Sequence, residues 1–253
     1  QQYHDFLHRQ PDVGGLAFWT DQITQCGADA ACIDAMRHNV AIAFFLSIEY
    51  QQTGYFVDRV YEACLGRRPA FEEFVVDMHV VGLGVEVGIG NWQQQLEENK
   101  QKYTEAFVGR SEFLARYPLG MPADYYVDEM FEYAGVSPSA EERQAAIDAY
   151  GAGDIRGRAA AMRTSMESAS IFRAYYDNAF VQAEYFGYLR RDANDNPDEG
   201  WAGYDFWLQK MNQYSLSGED VTRESDAYDR IKRGEMVKAF ILSQEYRERF
   251  GKP

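Results

Sequence analysis

The sequence predicts an all-α fold, four divergent helical units packed into one elongated domain with little or no strand. Three observations carry this expectation. Apolar residues recur four places apart, which puts them above one another on one helix face. Proline corners followed by capping residues cut these stretches into segments of helical length. The same order of residue types also returns along the chain, as it does in repeat architectures.

The helix openings come first. Tyr3 and Leu7; Val57, Tyr61 and Leu65; Val127 and Phe131; and Val181, Tyr185 and Leu189 each form a stripe. Arg9, Arg67 and Arg191 follow two places after the Leu, and Pro11, Pro69 and Pro197 then stop the helix. Asp12 and Asp198 come next, placed to cap the following helix. A Phe-Trp pair stands on that helix in the outer units, Phe18-Trp19 and Phe206-Trp207, and Trp92 fills the equivalent place in the second. Their helical setting assigns the three Trp to the core.

The closings agree as well. Ala43-Phe44 leads to Glu49-Tyr50, Ala106-Phe107 to Glu112-Phe113, and Ala239-Phe240 to Glu245-Tyr246, at one spacing. The units are therefore expected at 1–53, 54–119, 120–177 and 178–253, in one continuous globule or in paired halves 1–119 and 120–253. The second unit is deformed: β-branched residues at 75–80 allow a short strand, and glycines from Gly82 to Gly90 predict an irregular loop. In the eroded third unit Ser139 with Glu142 reads as a capping box. No Pro occurs from Gly157 to Arg191, which allows one long helix or two abutting ones.

The combination Leu7-x-Arg9-x-Pro11-Asp12, Gly15-x-x-Phe18-Trp19 and Ser47-x-Glu49-Tyr50, with Gly203-x-x-Phe206-Trp207 and Ser243-x-Glu245-Tyr246, resembles a bacterial family known as domain of unknown function 4214. That family is distantly similar to the helical linker domains of phycobilisomes. The likeness is close over 3–50 and 180–250, partial over 55–117 and poor over 120–177. It implies a secreted or surface-located helical domain, with no established activity, and it implies scaffolding between proteins by fold-level analogy.

Composition narrows the partners. Of 253 residues 46% are hydrophobic, enough for a sizeable core, while 40 acidic residues against 25 basic ones give a net charge of −15. That charge excludes nucleic acid, whose phosphates need a basic face, and disfavours anionic membranes. No apolar run reaches the roughly 18 residues of a membrane span, so membrane insertion is not expected. The chain opens inside a helical pattern with no leader sequence, and the expectation is a trimmed, exported product. Cys26 and Cys32 bracket a small polar loop and are expected to form a disulfide, in keeping with an oxidising compartment. Cys64 falls on an apolar stripe and is expected to be an inert core residue.

The candidate chemistry is modest. Arg9, Arg67 and Arg191 are each expected to pair with the Glu that closes the same unit, Glu49, Glu112 and Glu245. Trp201, in a Gly-flanked loop, is the candidate for an exposed contact. The insertion at 192–199 gathers oxygen ligands, with Asp192, Asn194, Asn196 and Asp198 as candidate calcium ligands, although Pro197 stands where an EF-hand loop needs Gly. A solvated turn without a cofactor is the competing expectation. No nucleophile, metal set or carboxylate pair stands in a catalytic setting, so the chain is not expected to be an enzyme. The reading is a non-catalytic extracellular module for protein contact or self-assembly, supported by abundant Tyr, 18 in all. The alternatives are a carbohydrate or cell-wall binding module with glycan as partner and, behind it, an unrecognised hydrolase.

Overall fold

Wherever an apolar stripe meets a cap or a proline corner, the chain forms a separate helix. A computed structural model describes residues 1–198 and 200–250. It is 71% helical, with no strand among the described residues. In chain order the helices are α1 (Gln2–Phe6), α2 (Val13–Thr24), α3 (Ala30–Leu46), α4 (Ile48–Gln52), α5 (Gly54–Leu65), α6 (Phe71–Gly82), α7 (Trp92–Phe107) and α8 (Ser111–Arg116). They continue as α9 (Ala123–Tyr133), α10 (Ala140–Tyr150), α11 (Ile155–Met166) and α12 (Ala169–Glu184), whose end widens into a π-helical turn, Tyr185–Leu189. The last four are α13 (Ala202–Gln213), α14 (Glu224–Gly234), α15 (Met236–Leu242) and α16 (Gln244–Phe250).

The chain divides into two compact units: Gln1–Gln51 with everything from Phe180 onward, and Gln52–Ala179 between them. The division corrects the expected halves at 119/120. The N-terminal and C-terminal segments share one unit and the two middle segments share the other. Contacts far apart in sequence decide this, and a local pattern does not carry them.

In the first unit, α1 packs on the returning chain. The Phe6 ring lies edge-on to Tyr188 at 5.1 Å and to Tyr50 at 5.6 Å, and Phe45 meets Phe180 at 4.8 Å. Gly187 lies beneath Phe6, where a Cβ would come within 2.9 Å of the ring. The π-turn leaves carbonyls turned outward, and the Arg249 guanidinium of α16 donates to those of Gly187 and Tyr188. Cys26 and Cys32 form the disulfide that ties α2 to α3. The stretch Ala30–Gln52, against expectation, is long and apolar enough to cross a membrane by length and composition, with mean hydropathy 1.3. Here its middle is core, because Val40, Ala41, Ile42, Phe44 and Phe45 are buried, and Ser47 breaks the helix.

The second unit is built around α5, where every residue from Gly54 to Cys64 is buried. Helices α6, α8, α9 and α11 pack about it, and α7 meets it through the Phe56–Tyr103 and Tyr61–Phe107 ring pairs. The residues at 75–80 belong to α6 and form no strand. Helical spacing puts Phe74, Met78 and Val81 inward together, and packing on α5 outweighs their β propensity. The irregular loop follows at Leu83, where Asn99 donates to the carbonyls of Val81 and Leu83. Ser139 and Glu142 form the expected capping box. The Pro-free stretch is two helices, α11 and α12, parted at Ser168.

Gly66 ends α5 in the left-handed region, at φ 63°, and a Cβ there would lie 2.6 Å from the Tyr133 hydroxyl. Gly66→Ala is expected to lower unfolding free energy by about 2 kcal/mol, since left-handed strain and a displaced Tyr133 both count against it. Urea denaturation followed by circular dichroism reads the loss.

Candidate functional site

One guanidinium geometry occurs three times. A left-handed residue, His8, Gly66 or Arg190, turns the chain within two residues of a helix end and brings the next residue, an Arg, back over it. Arg9 then donates through Nε and Nη2 to both oxygens of Glu49, at 2.6 and 2.8 Å. Arg67 does the same to Glu112 at 2.8 and 2.8 Å, and Arg191 to Glu245 at 2.6 and 3.0 Å. Nη1 donates in each case to the next residue's carbonyl, that of Gln10, Arg68 or Asp192. Each guanidinium also lies over a tyrosine six residues earlier, Tyr3, Tyr61 or Tyr185, at 5.0 to 5.4 Å from the ring centroid. That tyrosine meets Phe44, Phe107 or Phe240 edge-on.

A second carboxylate completes each junction, and here the copies differ. Asp12 caps α2 by accepting from the Gly15 N–H at 2.6 Å and stands 3.8 Å from Arg9. The Gly15 bond holds the Asp12 carboxyl below the usual carboxylate range. In the second junction the carboxylate comes from Glu73, one turn into α6, which accepts from Ala70 N–H and from Arg67 at 2.7 Å. Asp198 does not cap α13 as expected. Trp201 holds the N-cap position without a side-chain cap bond, and Asp198 accepts from Arg191 at 2.6 Å. The insertion has moved the helix start away from the carboxylate.

Of the four candidate calcium ligands, Asp198 is engaged by the same guanidinium. Arg191 Nη1 donates to the carbonyls of Asp192 and Asp195, and Asp198 is its ion-pair partner. Asn194 and Asn196 are exposed, and Glu199 lies outside the described residues. Among the described residues no three His, Cys, Asp or Glu side chains gather into a metal-holding group.

The aromatic pairs correct the core assignment. Trp19, Trp92 and Trp207 are half-buried, not core, while Phe18 is 55% and Phe206 58% exposed. Trp19 lies between Phe18 and the buried Phe44, and Trp207 between Phe206 and the buried Phe240. The junction tyrosines take the inner places. A Cβ at Gly15 would collide with the Tyr3 hydroxyl, and one at Gly203 would lie 2.7 Å from that of Tyr185. These glycines let the tyrosines in and leave the Trp at the rim. Trp201, the expected exposed contact, is half-buried and edge-on to the buried Tyr204 at 5.8 Å.

Sequence reasoning missed two features. Helix α2 has no buried residue over its whole length, although Val13, Leu16, Phe18 and Trp19 fall within eight uncharged positions. Val13 is 87% exposed. In the second unit, α5 buries charges: Asp58 and Glu62 lie one turn apart, with Arg68 3.5 Å from Glu62 and Arg59 over the Tyr55 and Phe172 rings. Burial, against the pull of Arg68, raises the Asp58 carboxyl to about 7. Burial and Asp58 raise Glu62 as well. The i, i+4 spacing of Asp58 and Glu62 was visible, but the burial of α5 on every side was not. Cys64, on the same helix, is buried, and burial alone raises its thiol.

Comparison of the chain with protein-family models, curated proteins and solved structures finds no match.

The junctions differ in exposure and so in expected weight. Arg191→Met leaves Glu245 and Asp198 facing each other without their shared cation and is expected to cost about 2 kcal/mol. Arg67→Met, where all three partners are more than a third exposed, is expected to cost about 1 kcal/mol or less. Chemical denaturation of both variants checks the order. The buried carboxylates set a pH dependence of known sign. A carboxyl raised on folding binds its proton more tightly in the native state, so its stabilisation is full below about 4 and lost as pH rises through about 7. The second unit is expected to melt lower at pH 8 than at pH 5, and Asp58→Asn to flatten that difference in thermal scans.

Proposed function

We propose that this chain is a non-catalytic, secreted or surface-located module for protein contact, with other copies of itself as its first partner. The observation that carries the reading is α2. A twelve-residue helix whose residues are all at least partly exposed, and which presents Val13, Leu16 and Phe18, offers an apolar surface of the kind used in interfaces. It has no Lys or Arg and only Asp21 among its residues. A face with the single charge of Asp21 needs little complementary charge opposite it and can pair with its own copy about a two-fold axis.

The disulfide is consistent with an oxidising compartment. The three junctions support the view that this chain consists of divergent copies of one helical unit and is related to the bacterial family it resembles. In that reading the guanidinium geometry is the part of the ancestral unit under strongest physical constraint. A second reading, glycan binding, is favoured by one feature alone, the half-exposed Phe-Trp pairs at 18–19 and 206–207. A glycan array separates it from protein contact.

Sedimentation equilibrium tests the leading reading. The wild-type chain is expected to associate reversibly between about 1 and 100 µM, and Leu16→Asp to shift it to monomer with its melting temperature retained. A wild-type chain that stays monomeric over that range rules out self-assembly.

A further inference from the structure

A groove runs along the first unit between α3 and helices α14 to α16. Its two lobes, of about 410 and 450 Å³, share Asp34, Ile241 and Leu242. The floor is apolar, with Val40 and Ile23 beside Ile241 and Leu242 in one lobe, and Ala31 and Ala35 in the other. Leu242 is 42% exposed, and Ala31 and Ala35 of α3 are exposed as well. Pockets of this size and lining are where ligands and peptide side chains settle.

The rim is cationic in a chain whose net charge is −15. Lys232 and Lys238 stand along one lobe, and Arg37 and Arg247 along the other, against the acids Asp34 and Glu235. All four cations are exposed, and none makes an ion pair among the described residues. Elsewhere in the unit Lys210 stacks on Trp207, and six arginines are paired. Arg9, Arg191, Arg223, Arg230, Arg233 and Arg249 each pair with a carboxylate. The local field is also felt by His38, whose pKa burial lowers, with Lys232 and Lys238 lowering it further. Over the groove as a whole the four cations exceed the two acids, with the excess in the lobe of Arg37 and Arg247, and an apolar floor lies between them.

We infer that the groove receives an acidic amphipathic helix of a partner protein, apolar stripe on Ile241 and Leu242, flanking carboxylates on Lys232 and Lys238 at one end and Arg37 and Arg247 at the other. Cations at both ends favour a segment with carboxylates along its length over a ligand with a single charged head. The run of α3 from Ala31 to Val40 spans about 14 Å, or roughly two and a half helical turns, enough for anchors at i, i+4 and i+7. The charged rim sets approach and register, and the apolar floor holds the complex. This inference rests on the protein-contact reading and names a second surface for it, which takes Ile23 from α2 but not Val13, Leu16 or Phe18.

The probe is a fluorescein-labelled, acetylated 14-residue peptide with Leu at i, i+4 and i+7 and Glu on both flanks; its control carries Lys in place of Glu. Fluorescence anisotropy with the whole chain is expected to give saturable binding of the Glu peptide, weakened about tenfold or more between low and physiological salt. Arg37→Glu and Lys238→Glu are each expected to weaken it about tenfold, and Leu242→Asp to abolish it. Neither charged residue has an ion pair to lose, and unchanged thermal melts establish that the variants are folded. Equal binding of the Lys peptide, no binding of the Glu peptide, or binding indifferent to the three substitutions overturns the inference. Sedimentation of the same samples separates the two claims. Self-association without peptide binding removes the groove alone, and peptide binding by a strict monomer removes self-assembly alone.

Discussion

The bidentate pairing of an arginine with a distant glutamate is the interaction on which the helix junctions depend. Each pair joins the corner after one helix to the start of another 40 to 54 residues later, as Arg9 is joined to Glu49 and Arg191 to Glu245. A guanidinium suits this place because its five donors can meet a carboxylate, a loop carbonyl and a second carboxylate in one plane while its face rests on a tyrosine. Lysine offers neither the fork nor the flat face. The left-handed residue that precedes each Arg follows from the same need, since only a sharp reversal brings the side chain back over its own helix. His8 and Arg190 take that conformation despite having side chains, which indicates how firmly the junction holds its geometry.

The two units use their apolar surface differently. In the second, α5 is enclosed on every side, and the enclosure is tight enough to bury Asp58, Arg59 and Glu62 with it. Such buried charges raise the cost of local rearrangement, because each would be exposed to a changed field. In the first unit the covering is incomplete. The residues of α2 stay at least partly in solvent, and the N-terminal half of α3 floors an open groove. Unit two also exposes single apolar residues such as Val76 and Leu119, but unit one leaves apolar area along α2 and beside Leu242 for something else to cover. The proposed contact function therefore falls on the first unit.

The two uncovered surfaces of that unit have different character. The α2 face carries one charge, Asp21, and suits a like surface. The groove is cationic and suits an unlike one. The chain's overall acidity gives the groove its selectivity, since a basic rim stands out against a surface that otherwise repels acidic partners. The aromatic rim pairs, Phe18-Trp19 and Phe206-Trp207, add area at the margins without entering the core.

Much of the secondary structure was legible in the sequence, and the reason is local. Stripe spacing, proline corners and the Ser139–Glu142 box act over a single turn, and helices form where they say. The Arg–Glu pairs could also be anticipated, because the residues recur together at fixed places along the chain. What the sequence alone determined was thus the helical class, the junction residues and the Cys26–Cys32 bridge. Tertiary structure decided the rest. It placed Phe18 and Trp19 at the rim because Tyr3 had already filled the space above Gly15, and it moved Asp198 from cap to ion-pair partner because an insertion displaced the helix start. It joined the N-terminal segment to the C-terminal one, enclosed α5 and left α2 bare. Burial depends on what packs against a helix from far along the chain, and no periodicity within the helix carries that information.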